Sequence, residues 1–398
     1  MSLSSPRFIY TLLLLWLAHF AVDFMLGIWS IYKTITHLDL GKAGIIAGVS
    51  AFIGEGGQVI TGVLGDRGWR KQLLIVGVIS TCASMLLAYT GEYSLLFLLY
   101  LCTCLGSGAF HPTAAGIVGD IGRQRRGIFI AIFSACGALG MASSQIVFTQ
   151  MYFWLQGNTI WLIIPSFILV GMLLSRRVSF PSKQGGLFKV QLRSYLSFFR
   201  NRHLALLYIS QLCNQAVFWG TVFLLPDVLL ERNYDPWLCY GGGHLIYILG
   251  AAIMMIPGGY LADRYSSRNV IIGATIVALM SYLVFFCVYP LSALALCFCL
   301  FFMGASAGMV NPVSVSFGVQ LVPENPSMVS AFLMGFVWCI SEILGQVGGG
   351  LLTGLFTEDA PACALVLISS LMWIGLACAI RLPIIVQEGR ELYSTVEV

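Results

Sequence analysis

The sequence predicts an all-α membrane protein of twelve transmembrane helices, arranged as two pseudo-symmetric six-helix bundles. Three observations predict it. Apolar residues make up 58% of the 398 residues and charged residues only 10%, where a soluble chain carries about a quarter charged residues. The apolar runs are long enough to cross a bilayer, which takes about 20 residues each. A charged phrase, Gly62-Val-Leu-Gly-Asp66-Arg67-Gly-Trp-Arg70-Lys71, also returns half a chain later as Gly259-Tyr-Leu-Ala-Asp263-Arg264-Tyr-Ser-Ser-Arg268. A charged turn duplicated at half length inside membrane-grade sequence marks internal repeats, and repeats of this kind hold a substrate path between them.

The spans fall roughly at 8–32, 42–64, 72–90, 94–118, 127–150, 158–175, 203–230, 238–262, 269–288, 292–318, 327–354 and 361–384. Span 1 follows Arg7 but runs well past the apolar core of a signal peptide, carries His19 and Asp23, and lacks a small-residue cleavage site; it reads as a retained helix. Span 2 holds Glu55 between Gly54, Gly56 and Gly57, and ends in the first charged turn. Span 4 carries Gly108-Ala-Phe110-His111-Pro112, and span 5 carries Gln145. Residues 1–175 form the first bundle. The stretch 176–202 has seven basic residues and no acid, with Pro181 and Gly185-Gly186, and reads as a cytoplasmic linker; Phe188–Phe199 within it has the pattern of an amphipathic helix. Residues 203–398 form the second bundle and a short cytoplasmic tail. Span 7 brings Asn214 and Gln215, span 8 the second charged turn, span 10 Asn311-Pro312, and span 11 Glu342 and Gln346. The repeat runs through these residues: His19 lies opposite Asn214, His111 opposite Asn311, and Gln145 opposite Gln346, at offsets of about 195 to 201.

With both termini cytoplasmic, 18 of the 21 Lys and Arg fall on one side, leaving Lys33, Lys42 and Arg232 on the other. That is a positive-inside distribution. The net charge of +4 therefore reports topology, and the basic residues form no groove for nucleic acid. The twelve cysteines sit almost entirely within spans and read as small packing residues. There is no phosphate-binding G-x-x-x-x-G-K-[ST] loop and no H-E-x-x-H, so neither an enzyme nor a cofactor is expected. Each pair of bundles encloses its own path, so a monomer is expected.

The phrase G-x-x-x-D-R with basic residues after span 2, together with twelve spans, the basic linker and the weaker copy after span 8, resembles the signature of the major facilitator superfamily. A finer resemblance rests on His19-x-x-x-Asp23, on Gly108-Ala-Phe110-His111-Pro112, and on Leu321-Val-Pro323 with Met328-Val-Ser330. These are similar to the fosmidomycin-resistance branch, bacterial inner-membrane exporters of drug-like compounds. The resemblance implies alternating access and export from the cell.

The residues themselves supply candidate chemistry. The repeated turns assign Asp66, Arg67, Arg70, Asp263, Arg264 and Arg268 to gating, through contacts with helix ends and acids of the facing bundle. His19 and Asp23 are four apart and share a helix face. An ionisable group at mid-bilayer costs about 2.5–3.5 kcal/mol on insertion scales, so a pair of them needs partners, water or function. One reading makes Asp23 and His19, with Glu55, the proton-coupling group of a secondary transporter for a small organic molecule. His111, Asn214, Gln215, Asn311, Glu342, Gln346 and Gln145 are then the substrate-binding candidates, Trp219, Tyr247 and Trp338 offer apolar contact, and Asp227 and His244 lie toward an outer gate. The alternative is a transporter of a divalent metal ion or metal chelate through His19, Asp23 and His111.

Overall fold

The computed structural model describes residues 6–122, 126–175, 178 and 198–384. The expected amphipathic helix in the linker and the cytoplasmic tail lie outside the described residues, apart from Phe198 and Phe199. Among the described residues the chain is helical and contains no strand. Ten segments are long and apolar enough to cross a membrane; one of them, Leu40–Tyr89, supplies two crossings, and the shorter Thr159–Leu174 adds the twelfth. In chain order the spans are α1 (Arg7–Ile35), α2 (Leu40–Leu64), α3 (Arg70–Thr81), α4 (Tyr93–Gly122), α5 (Arg126–Trp154), α6 (Ile164–Leu174), α7 (Arg202–Glu231), α8 (Leu238–Arg264), α9 (Ser267–Cys287), α10 (Ala293–Leu321), α11 (Met328–Thr353) and α12 (Ala360–Ile380). The chain is thus a multi-pass membrane protein.

The two charged turns are built differently. Between α2 and α3 the chain reverses at Gly68, whose φ of 98° is open to glycine and costly for other residues. Between α8 and α9 no glycine is needed, because Ser266 caps α9 by accepting from the Asn269 amide at 3.2 Å. This local difference accounts for the looser second copy of the sequence phrase.

The halves repeat the same helix pairings. α2 and α3 pack on α4 as α8 and α9 pack on α10, and α1 packs on α5 as α7 packs on α11. Lipid offers no hydrophobic drive between helices, so close backbone approach does the work. One stretch of α10, Gly304-Ala-Ser306-Ala-Gly308, has the G-x-S-x-G spacing of a hydrolase nucleophile turn. It lies inside continuous helix, Ser306 Oγ donates to the Phe302 carbonyl at 2.8 Å, and the glycines sit against Tyr247 and Ala251 of α8; it is packing.

The core shows where the halves meet. At the face opposite the charged turns, one apolar cluster takes residues from both halves, including Trp29 and Tyr32 of α1 with Phe223 and Leu224 of α7. At the charged-turn face the core divides: one cluster around Leu15, Phe110 and Phe133 belongs to the first half, and another around Tyr208, Phe317 and Phe332 belongs to the second. The space beside Gly56 and Gly57 of α2 and Gly335 of α11 is open. The molecule is therefore sealed at one face and parted at the face bearing Asp66 and Asp263.

Candidate functional site

The seal is made where three pairs of helices cross between halves: α1 with α7, α2 with α11, and α5 with α8. In the α2–α11 crossing, a Cβ at Gly44 would strike the Gln346 carbonyl and one at Gly350 the Leu40 carbonyl, so only bare backbone fits. In the α5–α8 crossing, His244 Nε2 donates to the Met141 carbonyl at 2.9 Å. In the α1–α7 crossing, Lys33 Nζ pairs with the Asp227 carboxylate, Thr34 Oγ1 donates to the other Asp227 oxygen at 2.9 Å, and the ammonium lies 4.6 Å from the Phe223 ring centre. Lys33 has no exposed surface. Sequence reasoning placed Asp227 near an outer gate but gave Lys33 only a topological role, because the span was drawn to end at 32. A lysine inside an apolar helix was the available signal.

Below the seal, α1, α4 and α5 assemble a compact polar group. His19 and Asp23 meet across one turn of α1, Nε2 to Oδ2, at 3.3 Å. His111 comes from α4, its Nε2 lying 3.0 Å from His19 Nε2 and 3.1 Å from Asp23 Oδ1. Each imidazole is aimed by its other nitrogen. His19 Nδ1 is 2.7 Å from the Phe133 carbonyl, and His111 Nδ1 is 3.0 Å from the Ser107 carbonyl with Ser107 Oγ at 2.9 Å. A carbonyl oxygen only accepts, so both Nδ1 atoms carry hydrogen. The two Nε2 atoms and the carboxylate then face one another as acceptors. Three converging lone-pair groups require at least one proton, or another cation, among them.

The local sequence explains the placement. Pro112 has no amide hydrogen, which frees the Gly108 carbonyl within α4. Thr61 of α2 donates to that carbonyl at 2.6 Å, tying the two helices beside His111. Gly137 of α5 lies against His19 and Asp23, where a Cβ would fall on both side chains. The His19 ring also stacks on Phe133, centroids 3.9 Å apart. His111 and Asp23 retain 23% and 16% side-chain exposure against 7% for His19, so the group is approached from the His111 side.

Other candidates fall into smaller groups. Glu55 accepts from Gln58, and Glu342 accepts from Gln346 at 3.2 Å. Glu55 acts electrostatically on His111 and Asp23, and also on Glu342 across the α2–α11 crossing. Asn311 accepts from Gln211 at 2.7 Å. Sequence reasoning missed Gln211, because the repeat pointed to Asn214, one turn later, which donates to its own helix at Ser210. Gln215 is buried, and Gln145 is fully buried with neither amide atom hydrogen-bonded. The Trp219 and Trp338 indole N–H groups are likewise without a partner, while Tyr247 is buried against Phe218.

The gating candidates do not reach across the halves here. Arg70 pairs with Asp120 of α4 at 2.9 Å and with Asp66 at 3.6 Å, inside its own half. Arg268 donates to the Ile380 carbonyl at 2.6 Å, Arg264 lies over the Tyr265 ring, and Arg67 and Asp263 are exposed. The expected contacts with the facing bundle are absent among the described residues because this face is parted.

Comparisons with known proteins bear on the whole chain. A family model for the Major Facilitator Superfamily matches residues 11–346 and 244–384. A curated relative, the uncharacterized MFS-type transporter YfkF of Bacillus subtilis (strain 168), is 28% identical over 132 residues, which is 33% of this chain and 33% of the relative; the match spans about a third of that protein's length. Among solved structures, a mutant of the nucleoside transporter NupG superposes with a TM-score of 0.80 at 14% identity, over 94% of this chain and 99% of that one. A bacterial homologue of the human lysosomal transporter Spinster, in an inward-facing and unoccupied conformation, gives 0.74 at 16% identity over 95% of each chain. The fold is shared with both. With twelve crossings in matching halves and a family model spanning nearly all of them, the chain belongs to the Major Facilitator Superfamily of membrane transporters, which are not enzymes.

Proposed function

We propose that this transporter moves a small organic, drug-like molecule across the bacterial inner membrane by alternating access, coupled to protons at His19, Asp23 and His111. The observation that carries the coupling is the meeting of two imidazole acceptors and a carboxylate within 3.0–3.3 Å. A proton shared there removes repulsion from a poorly hydrated site, and its loss restores it, so protonation biases which face opens. Glu55 belongs to the same electrostatic group. The substrate occupies the space between the halves, and its candidate contacts are Gln145, Trp219 and Trp338, whose buried polar atoms have no partner here, with Asn214, Gln215, Asn311, Glu342 and Gln346 of the second half.

Asp66, Arg67, Arg70, Asp263, Arg264 and Arg268 serve as the gate of the charged-turn face, exchanging their present partners for the facing bundle on closure. The positive-inside distribution makes that face, the termini and the linker cytoplasmic. Export follows from the likeness of His19-x-x-x-Asp23 and Phe110-His111-Pro112 to the fosmidomycin-resistance branch.

The test is proton movement in proteoliposomes carrying a pH-sensitive dye, challenged with a panel of drug-like anions and cations. A compound-dependent pH change in the wild type that vanishes in Asp23→Asn is expected. Substrate flux that persists in Asp23→Asn with unchanged proton movement would sink the coupling assignment.

A further inference from the structure

We infer that His19 Nε2, His111 Nε2 and the Asp23 carboxylate form a binding site for one divalent transition-metal ion of the Zn2+ or Co2+ type, with a fourth position open to the cavity. The inference rests on the reading of this group as a cation site and names a second cation for it. Three observations point to a metal as well as a proton.

The first is spacing. The two Nε2 atoms stand 3.0 Å apart, and the carboxylate meets them through different oxygens, Oδ1 at 3.1 Å from His111 and Oδ2 at 3.3 Å from His19; one ligand atom from each residue lies within 4.8 Å of the others. Bonds of about 2.0–2.1 Å to a tetrahedral ion put neighbouring ligands about 3.3 Å apart. The group takes the ion through both carboxylate oxygens, or through one of them after a turn of the Asp23 side chain.

The second is orientation. Metal-binding histidines hold their second N–H against a carbonyl or carboxylate, which fixes the tautomer and aims the free nitrogen. Both histidines do so here, through Phe133 O at 2.7 Å and Ser107 O at 3.0 Å. The third is access: His19 is nearly closed off, whereas His111 and Asp23 keep exposed surface, so the fourth ligand position faces water or a substrate donor. Two imidazoles and one carboxylate suit Zn2+ and Co2+ better than Mg2+ or Ca2+, which favour all-oxygen sites. Binding displaces the shared proton from the nitrogen it occupies, so metal uptake releases protons and weakens as pH falls.

The experiment is titration of the purified full-length protein with Co2+ alone. The expected result is one ion per chain, with the intense visible bands of a four-coordinate Co2+ that Zn2+ abolishes. Affinity is expected to fall about 100-fold or more in His111→Ala and in Asp23→Asn, since even loss of a supporting hydrogen bond costs 10–100-fold. X-ray absorption on wild-type protein, showing two imidazoles on the metal, keeps the test independent of whether the variants fold. Absence of stoichiometric Co2+ binding to the wild type, a six-coordinate spectrum, or binding undiminished in both variants overturns the site. The proton assignment is read separately: coupled proton movement without Co2+ binding removes the metal site and leaves coupling intact, whereas Co2+ binding without proton movement does the reverse.

Discussion

Pro112 takes one amide hydrogen out of α4, and the carbonyl left behind, Gly108, is claimed by Thr61 at 2.6 Å. Replacing Thr61 with Val keeps the shape and removes the donor, so a carbonyl at a helix junction goes unserved. The expected cost is about 1–3 kcal/mol, visible as a lower unfolding midpoint in detergent, with Thr61→Ser restoring most of it. Gly137 makes a second, sharper prediction. A methyl there overlaps both His19 and Asp23, so Gly137→Ala costs about 1–3 kcal/mol by overpacking and abolishes coupled transport; wild-type proton movement in Gly137→Ala would show that the group tolerates displacement. At this scale the sequence was partly legible. The i,i+4 spacing announced His19 and Asp23, and Pro112 marked its neighbour. Nothing along the chain could say that His111 closes on them from α4, or that Gln211 and not Asn214 reaches Asn311, because helix rotation about its axis is set by packing.

Among elements, the α1–α7 crossing carries a buried ion pair within the seal. Lys33 is fully buried and paired with Asp227, and breaking a buried ion pair by removing one partner costs about 3–5 kcal/mol. Lys33→Ala is therefore expected to shift the population away from this sealed form. Distance measurements between labels at Lys42 and Leu355 report it as a longer separation, while Lys33→Met combined with Asp227→Leu, which leaves no lone charge, shifts it less. An unchanged distance in Lys33→Ala would mean that the α2–α11 and α5–α8 crossings hold the face without the ion pair. Span limits were readable from hydropathy to within a few residues. The three residues by which α1 outruns the expected end, however, are the ones that carry Lys33 and Thr34. The second charged turn differs from the first because a serine cap replaces a left-handed glycine, a substitution that hydropathy does not register.

For the whole molecule, the repeat was legible because duplicated helices keep their charged turns and their proline-bearing fourth helices. The relative tilt of the halves was not, since the same sequence serves every stage of the cycle. Orientation in the bilayer yields a direct prediction. Single cysteines introduced at Lys42 and at Asp263, with the exposed native thiols replaced, are expected to react with a membrane-impermeant reagent from opposite sides: Lys42 in intact cells, Asp263 only after lysis. Labelling of both from outside would overturn the assigned topology.

His19, Asp23 and His111, together with the Phe133 and Ser107 carbonyls that aim them, all belong to α1, α4 and α5 of one half. Rocking that half against its partner cannot pull them apart. The group travels as finished apparatus and is neither assembled nor dismantled during a cycle. What alternates, in the proposed cycle, is its view: water from one compartment, then from the other. Under the proposed coupling role, selectivity for the ion is then a constant of the protein, and the direction of net movement belongs to the gradients on either side of the membrane.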